Sequence, residues 1–189
     1  MNFLEERIVK DGIVKEGNVL KVDSFLNHQI DTELMCALAD DAINYFGDVK
    51  VTKVLTIETS GIAVAFPVAN KLRVPLVFAK KSKSAINDGS NVYTAEIKSF
   101  TRNTVSTVTV DKRFISEGEN ILIVDDFLAE GNAALGLIDI VKQGKGNVVG
   151  MSAAIEKFFQ GGHEKIEAMG IPVYCPASIK GFKDKKVVF

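Results

Sequence analysis

The segment Ile121-Leu122-Ile123-Val124-Asp125-Asp126 constrains the fold of this chain more than any other. Its four apolar residues form the most apolar strand of the sequence, a buried central strand that delivers two adjacent acids to its carboxyl end. In open α/β sheets that edge is where ligands bind. Side chains alternate along a strand, so Asp125 and Asp126 point to opposite faces unless the chain is already turning there. A short stretch of mostly small residues, Ala129-Glu130-Gly131-Asn132-Ala133, leads into a helix expected from Gly131 to Gln143 and closed by Gly144. Small side chains let a ligand approach backbone N–H groups, and the start of a helix favours an anion. Acids beside an anion site make sense for a ligand with hydroxyls as well as a phosphate: carboxylates accept from hydroxyls while N–H groups take the phosphate. The plain alternative is a strand end with two solvated acids. The segment is neither Gly-x-x-x-x-Gly-Lys-Ser/Thr nor Gly-x-Gly-x-x-Gly.

The neighbouring sequence supplies a layered fold. Asp31 is a good N-cap, followed by Leu34, Met35, Leu38, Ala42 and Ile43 at helical spacing up to about Phe46. Val54 to Ile57 reads as a buried strand, Ile62 to Leu72 as a helix, and Val74 to Ala79 as a strand with Pro75 at its start. Strand, helix and strand in that order make a βαβ unit and hence parallel pairing. From Lys80 to Asn91 the chain is polar and reads as a mobile loop; Val92–Phe100 and Thr104–Val110 then form a hairpin around Thr101-Arg102-Asn103. Val148 to Ile155 is another strand. The expected fold is a single α/β domain, a doubly wound parallel sheet with a core over about residues 48–156 and a small hood lobe from about 1–30 and 157–189.

Composition narrows the function classes. A formal net charge of -1 gives no general attraction for nucleic acid. The cysteines Cys36 and Cys175 are too sparse for a disulfide framework, and His28 and His163 stand apart from them and from each other, so no protein metal cage is expected. The start, Met1-Asn2-Phe3-Leu4-Glu5-Glu6-Arg7, lacks the apolar run of a signal peptide, and no stretch approaches the about 20 apolar residues of a membrane span. A soluble, cytoplasmic protein with no membrane partner is expected.

An apolar strand, two acids and a small-residue loop make the segment resemble the type I phosphoribosyltransferases. Val19 to Asp31 (VLKVDSFLNHQID), Ile57 to Ala63 (IETSGIA) and Ala154-Ile155-Glu156-Lys157 resemble the bacterial xanthine-using branch of that family, and the resemblance covers essentially the whole chain. It implies purine salvage: phosphoribosyl pyrophosphate (PRPP) and xanthine as substrates, Mg²⁺ held mainly by the diphosphate, and a homodimer. Ala129, Glu130, Gly131, Asn132 and Ala133 would bind the phosphate of PRPP, and Asp125 and Asp126 would face the ribose as the catalytic acids. Thr59, Ser60 and Gly61 would hold the pyrophosphate, often through a strained peptide in this fold, with Lys80 and Lys81 neutralising it. Leu20, Asn27 and Lys157 would contact the purine, and the hairpin near Tyr93 to Phe100 would cover the reacting centre. The family's usual Thr-Gly-x-Thr is absent from the phosphate loop, as in the xanthine branch; Glu130 fits worst, because a carboxylate repels a phosphate.

Each feature also has a structural reading. Ser60 could be only a helix cap, the lysines a solvated run, Lys157 an exposed lysine after a strand, Phe158 and Phe159 core residues rather than a stacking platform for the base, and Asn27 a turn residue. Lys157 carries the base preference, since an ammonium suits the oxo groups of xanthine and would be left unpaired by adenine's amino group. A guanine or hypoxanthine enzyme is the near alternative. A PRPP-sensing regulator would need an added DNA-binding domain, and neither residues 1–30 nor any basic patch suggests one.

Overall fold

The computed structural model describes residues 1–82, 91–99 and 104–189. Residues 83–90 of the polar run read as a mobile loop, and the hairpin tip Thr101-Arg102-Asn103, lie outside the described residues. The elements are α1 (Phe3–Asp11), β1 (Ile13–Lys15), β2 (Val19–Lys21), a π-helical turn (Asp23–Asn27), α2 (Thr32–Phe46), β3 (Lys53–Ile57), α3 (Gly61–Leu72), β4 (Leu76–Ser82), β5 (Val92–Ser99), β6 (Thr104–Asp111), β7 (Asn120–Leu128), α4 (Asn132–Gln143), β8 (Asn147–Lys157), α5 (Gly162–Glu167), β9 (Val173–Tyr174), β10 (Ala177–Ile179), β11 (Gly181–Lys183) and β12 (Lys186–Val188).

The main sheet runs β10-β8-β7-β3-β4-β6-β5, with β9 also paired to β8. Pairing is parallel from β10 through β4, and antiparallel where β6 joins β4 and β5 joins β6. The doubly wound parallel core is therefore as expected, with an antiparallel hairpin continuing one edge. The alternation of the central strands explains their apolar runs. Val54, Leu122 and Val124 enter one core with α2 and α3, through residues such as Leu38 and Val68. Leu55, Ile121 and Ile123 enter the other with α4, through Leu137 and Ile140. Both faces are covered, so these strands are mainly apolar, with Thr56 and Lys53 the buried polar exceptions on β3.

Helix α2 starts where the sequence placed it, with Asp31 accepting from the Leu34 amide at 3.1 Å. Helix α1 was not anticipated. Asn2 accepts from the Leu4 and Glu5 amides, and Glu5 reaches back to the Asn2 amide, a reciprocal cap. Its Leu4 and Ile8 are buried in the α2–α3 core, each contributing about 1.5–3 kcal/mol relative to exposure. The terminal segments also meet: the Asn2 side-chain amide donates to the Pro176 carbonyl at 2.5 Å.

Several boundaries move for reasons that lie in pairing partners. Strand β4 runs to Ser82 because β6 pairs with Lys80, Lys81 and Ser82, so both lysines stand on a strand rather than in a loop. Pro75 lies just before β4, and its carbonyl accepts from the Val54 amide at 3.0 Å. Strand β7 continues past Val124 to Leu128 because β8 accompanies it. Lys157 is the last residue of β8, opposite Ile179 of β10, rather than a residue after the strand. Phe158 and Phe159 are not core: they are 38% and 44% exposed, in a short helical turn where the strand's alternation has ended.

Candidate active site

The order of the sheet selects one crevice. From β3 the chain goes to β4 on one side, and returns with β7 on the other. The strand order therefore reverses between β3 and β7, and the loops after their carboxyl ends part at that point. A cavity of about 470 Å³ opens there. Its floor comes from the end of β7 and the loop into α4, one wall from Glu58 and Ser60 after β3 with Lys81 of β4, and the far end from Lys157.

Asp125 and Asp126 both reach the cavity and are 4% and 9% exposed. The Asp126 amide donates to Asp125 Oδ1 at 2.9 Å. Burial above all, then the charge of Asp126, holds the Asp125 carboxyl well above the usual carboxylate range; Lys81 pulls the other way. Next along the chain, Gly131 has φ +85°, a left-handed turn that favours glycine, and it caps α4 without a side-chain hydrogen bond. The first amides of α4 are thus not taken by a capping side chain. Glu130, the misfit of the sequence, turns its carboxylate to the side-chain amide of Asn132 at 3.1 Å. That same amide donates to the Lys98 carbonyl at 3.1 Å, which ties the loop to β5.

After β3, the Glu58–Thr59 peptide bond is cis. Glu58 accepts from the Lys81 amide at 2.6 Å, which joins the β3 and β4 strand ends. Ser60 occupies the N-cap position of α3 but makes no side-chain cap bond, and it lines the cavity. Gly61 packs against the sheet: a methyl group there would collide with the Thr56 hydroxyl and lie 2.5 Å from Asp125 Oδ1. Gly61→Ala is expected to destabilise the fold by about 1–3 kcal/mol, the usual range for overpacking. Thermal denaturation followed by circular dichroism would measure it, and an unchanged midpoint would contradict this packing.

Lys157 is half-buried. Its ammonium donates to the Asn18 carbonyl at 3.1 Å and stands 5.9 Å from the Phe182 ring centre. Burial pulls its pKa below the ordinary lysine value. It thereby joins the N-terminal hairpin β1–β2 and the C-terminal hairpin β11–β12 at the cavity's end.

Of the residues selected from sequence, Asp125, Asp126, Ala129, Glu130, Gly131, Asn132, Ala133, Ser60, Lys81 and Lys157 meet around this one cavity. Lys80 does not line it; as Lys81's neighbour on a strand it faces the other way, near the Phe78 ring. Thr59 and Gly61 flank it, Leu20 is buried on β2, and Asn27 is exposed at the end of the π-helical turn. Glu58, Lys98 and Gln160 also line the cavity, none of them given a role of its own from the sequence. Glu58 belongs to the Ile57–Ala63 motif, and Lys98 to the hairpin expected to cover the reacting centre; Gln160 carries no local signal, because chain reversal brings it there.

Comparison with known proteins gives consistent matches. Residues 21–169 match the family described as phosphoribosyl transferase domain. The chain is 48% identical over 189 residues to the xanthine phosphoribosyltransferase of Leuconostoc mesenteroides subsp. mesenteroides, covering 100% of both chains. It is 49% identical over 190 residues to the xanthine phosphoribosyltransferase of Lactobacillus delbrueckii subsp. bulgaricus, again covering 100% of each. Among solved structures, the adenine phosphoribosyltransferase of Trypanosoma brucei in complex with AMP, pyrophosphate and ribose-5-phosphate matches with a TM-score of 0.78 at 15% identity, over 97% of this chain and 83% of that one. That likeness concerns the fold.

Proposed function

Since this chain belongs to the phosphoribosyl transferase domain family, we infer that it transfers phosphoribose from PRPP to xanthine, giving xanthosine monophosphate and pyrophosphate. The observation that carries the donor half is the acidic pair Asp125–Asp126 beside the uncapped start of α4, at the reversal of strand order. The base follows from full-length relatives at 48% and 49% identity that bear the xanthine name, supported by an ammonium at the cavity's end.

In this reading the amides of Ala129 to Ala133 hold the phosphate, while the carboxylates of Asp125 and Asp126 accept from the ribose hydroxyls. Thr59, Ser60 and Gly61 hold the pyrophosphate, with positive charge from Lys81 and, from the opposite face of the strand, Lys80. Leu20, Asn27 and Lys157 orient the purine. The bond from the anomeric carbon to the pyrophosphate oxygen breaks early, so charge develops on the sugar and on the leaving group. The acidic pair stabilises the first and Lys81 the second. No enzyme nucleophile is required, since the purine nitrogen attacks directly once aligned.

Mg²⁺ fits the donor set. The cavity presents carboxylate oxygens from Glu58, Asp125 and Asp126, and Mg²⁺ takes one or two carboxylates together with substrate phosphates. When bound with PRPP it would neutralise diphosphate charge. No helix among the described residues is long and apolar enough to cross a membrane. We place the protein's work in the cytoplasm, as a homodimer.

The test is to offer xanthine, guanine, hypoxanthine and adenine separately to purified protein with PRPP and Mg²⁺, and to measure nucleotide formed. Xanthine should give the highest kcat/KM. A higher value for guanine or hypoxanthine would overturn the base assignment and leave the donor; PRPP binding without turnover of any base would favour a sensor.

A further inference from the structure

The left-handed turn at Gly131 is held against a second glycine from a distant part of the chain. A side chain on Gly131 would meet the Gly162 α-carbon at 3.2 Å. In the other direction, a methyl group on Gly162 would collide with the Ala129 carbonyl and lie 2.7 Å from the Gly131 nitrogen. The backbones are also bonded: the Gly162 amide donates to the Ala129 carbonyl at 3.0 Å. Lys165, further along α5, donates to the Glu130 carbonyl at 3.1 Å.

These bonds fix which way the loop's amides point. In a planar trans peptide the N–H lies opposite the C=O. With the carbonyls of Ala129 and Glu130 turned to α5, the amides of Glu130 and Gly131 turn away from it. The loop lines the cavity, so that is the side on which an anion would be met.

Helix α5 has its own anchor. His163 Nδ1 lies 2.6 Å from Glu156 Oε2, and His163 Nε2 lies 3.4 Å from Glu167. Burial alone would lower the His163 pKa, but Glu156 and Glu167 outweigh it and raise it. Glu156 is 3% exposed and stands beside Lys157 on β8. The Cys175 sulfur lies near the same two groups, with ligand atoms of Glu156, His163 and Cys175 all within 4.8 Å of one another.

We propose that Gly162 and His163 are positioning residues for phosphate binding: Gly162 moulds the loop Ala129–Gly131 so that its amides face the cavity, and the His163–Glu156 contact locks that support to β8. The proposal rests on the loop being the phosphate site of PRPP. It gives α5 a part in donor binding although Gly162 and His163 do not line the cavity.

Calorimetric titration with PRPP and Mg²⁺, together with steady-state kinetics, tests it. Gly162→Ala should raise KM for PRPP by about tenfold or more, with KM for xanthine within about twofold, because only the donor end is disturbed. His163→Leu, which strands a buried carboxylate, should act in the same direction; His163→Gln, which restores a donor to Glu156, should stay within about threefold of the wild type. Folding of each variant is checked by circular dichroism, and if Gly162→Ala does not fold, the His163 variants decide. Unaltered PRPP affinity in folded Gly162→Ala or in His163→Leu would overturn the proposal, as would equal losses for PRPP and xanthine. Failure of the wild type itself to bind PRPP would overturn the donor reading and the proposal with it, a result distinct from wild-type binding that the variants share.

Discussion

Replacing Lys157 by alanine is expected to lower kcat/KM for xanthine by about ten- to a hundredfold while leaving PRPP affinity within about twofold, the loss expected when a charged hydrogen-bond donor is removed from one substrate only. The ammonium already holds the Asn18 carbonyl and stands near the Phe182 ring. Alanine therefore also loosens the two terminal hairpins at that end of the cavity. Lys157→Met separates the effects: it keeps most of the stem and its packing but removes the charge. Both variants should lose xanthine turnover, and only the alanine should lower the melting temperature appreciably. Normal xanthine kinetics in Lys157→Met, with a defect confined to the alanine variant, would reduce Lys157 to a structural strut.

The second large effect is expected from Asp125→Asn with Asp126→Asn: PRPP affinity about a hundredfold weaker, with a protein that melts higher at neutral pH. The affinity loss follows from exchanging charged acceptors for neutral ones at the ribose, about 1.5–3 kcal/mol for each charged hydrogen bond. The stability gain follows from the raised pKa of Asp125, caused first by burial and then by Asp126. A carboxyl whose pKa is raised on folding gives its full stability below the ordinary carboxylate range, and loses it as pH rises through the folded value. At neutral pH the native pair therefore carries a cost that asparagine removes. In acid, where Asp125 is protonated in the native protein, the advantage should shrink. Melting temperatures of both proteins, compared at neutral pH and in acid, would show whether the gap narrows in that direction. A gap that widened in acid, or unchanged PRPP affinity, would contradict the assignment.

These predictions mix what was legible in the sequence with what was not. The strand–acid–loop–helix segment from Ile121 to Gln143 could be read locally, because a strand buried on both faces, a cap glycine and a helical repeat each have short-range chemistry. The same holds for α2 with its Asp31 cap and for the parallel β3–α3–β4 unit. Helix α1 was legible in principle, through the reciprocal Asn2–Glu5 cap, but its short span carried only two core residues, Leu4 and Ile8. The functional residues of the terminal segments were selected through resemblance, since a leucine, an asparagine or a lone lysine has no chemistry that spacing alone can assign.

What the sequence determined by itself was therefore the layer architecture and the strand–acid–loop–helix segment from Ile121 to Gln143, both set by interactions between residues close along the chain. Only the tertiary structure decided which groups share one cavity. Strand pairing with β6 carried Lys80 and Lys81 onto β4, and the alternation of that strand gave Lys81 to the cavity and Lys80 to the other face. Pairing with β10 held Lys157 at the end of β8, and chain reversal laid Gly162 against Gly131. Those contacts join residues far apart in sequence. Their stability depends on the packed sheet as a whole, so no local window of the chain can encode them.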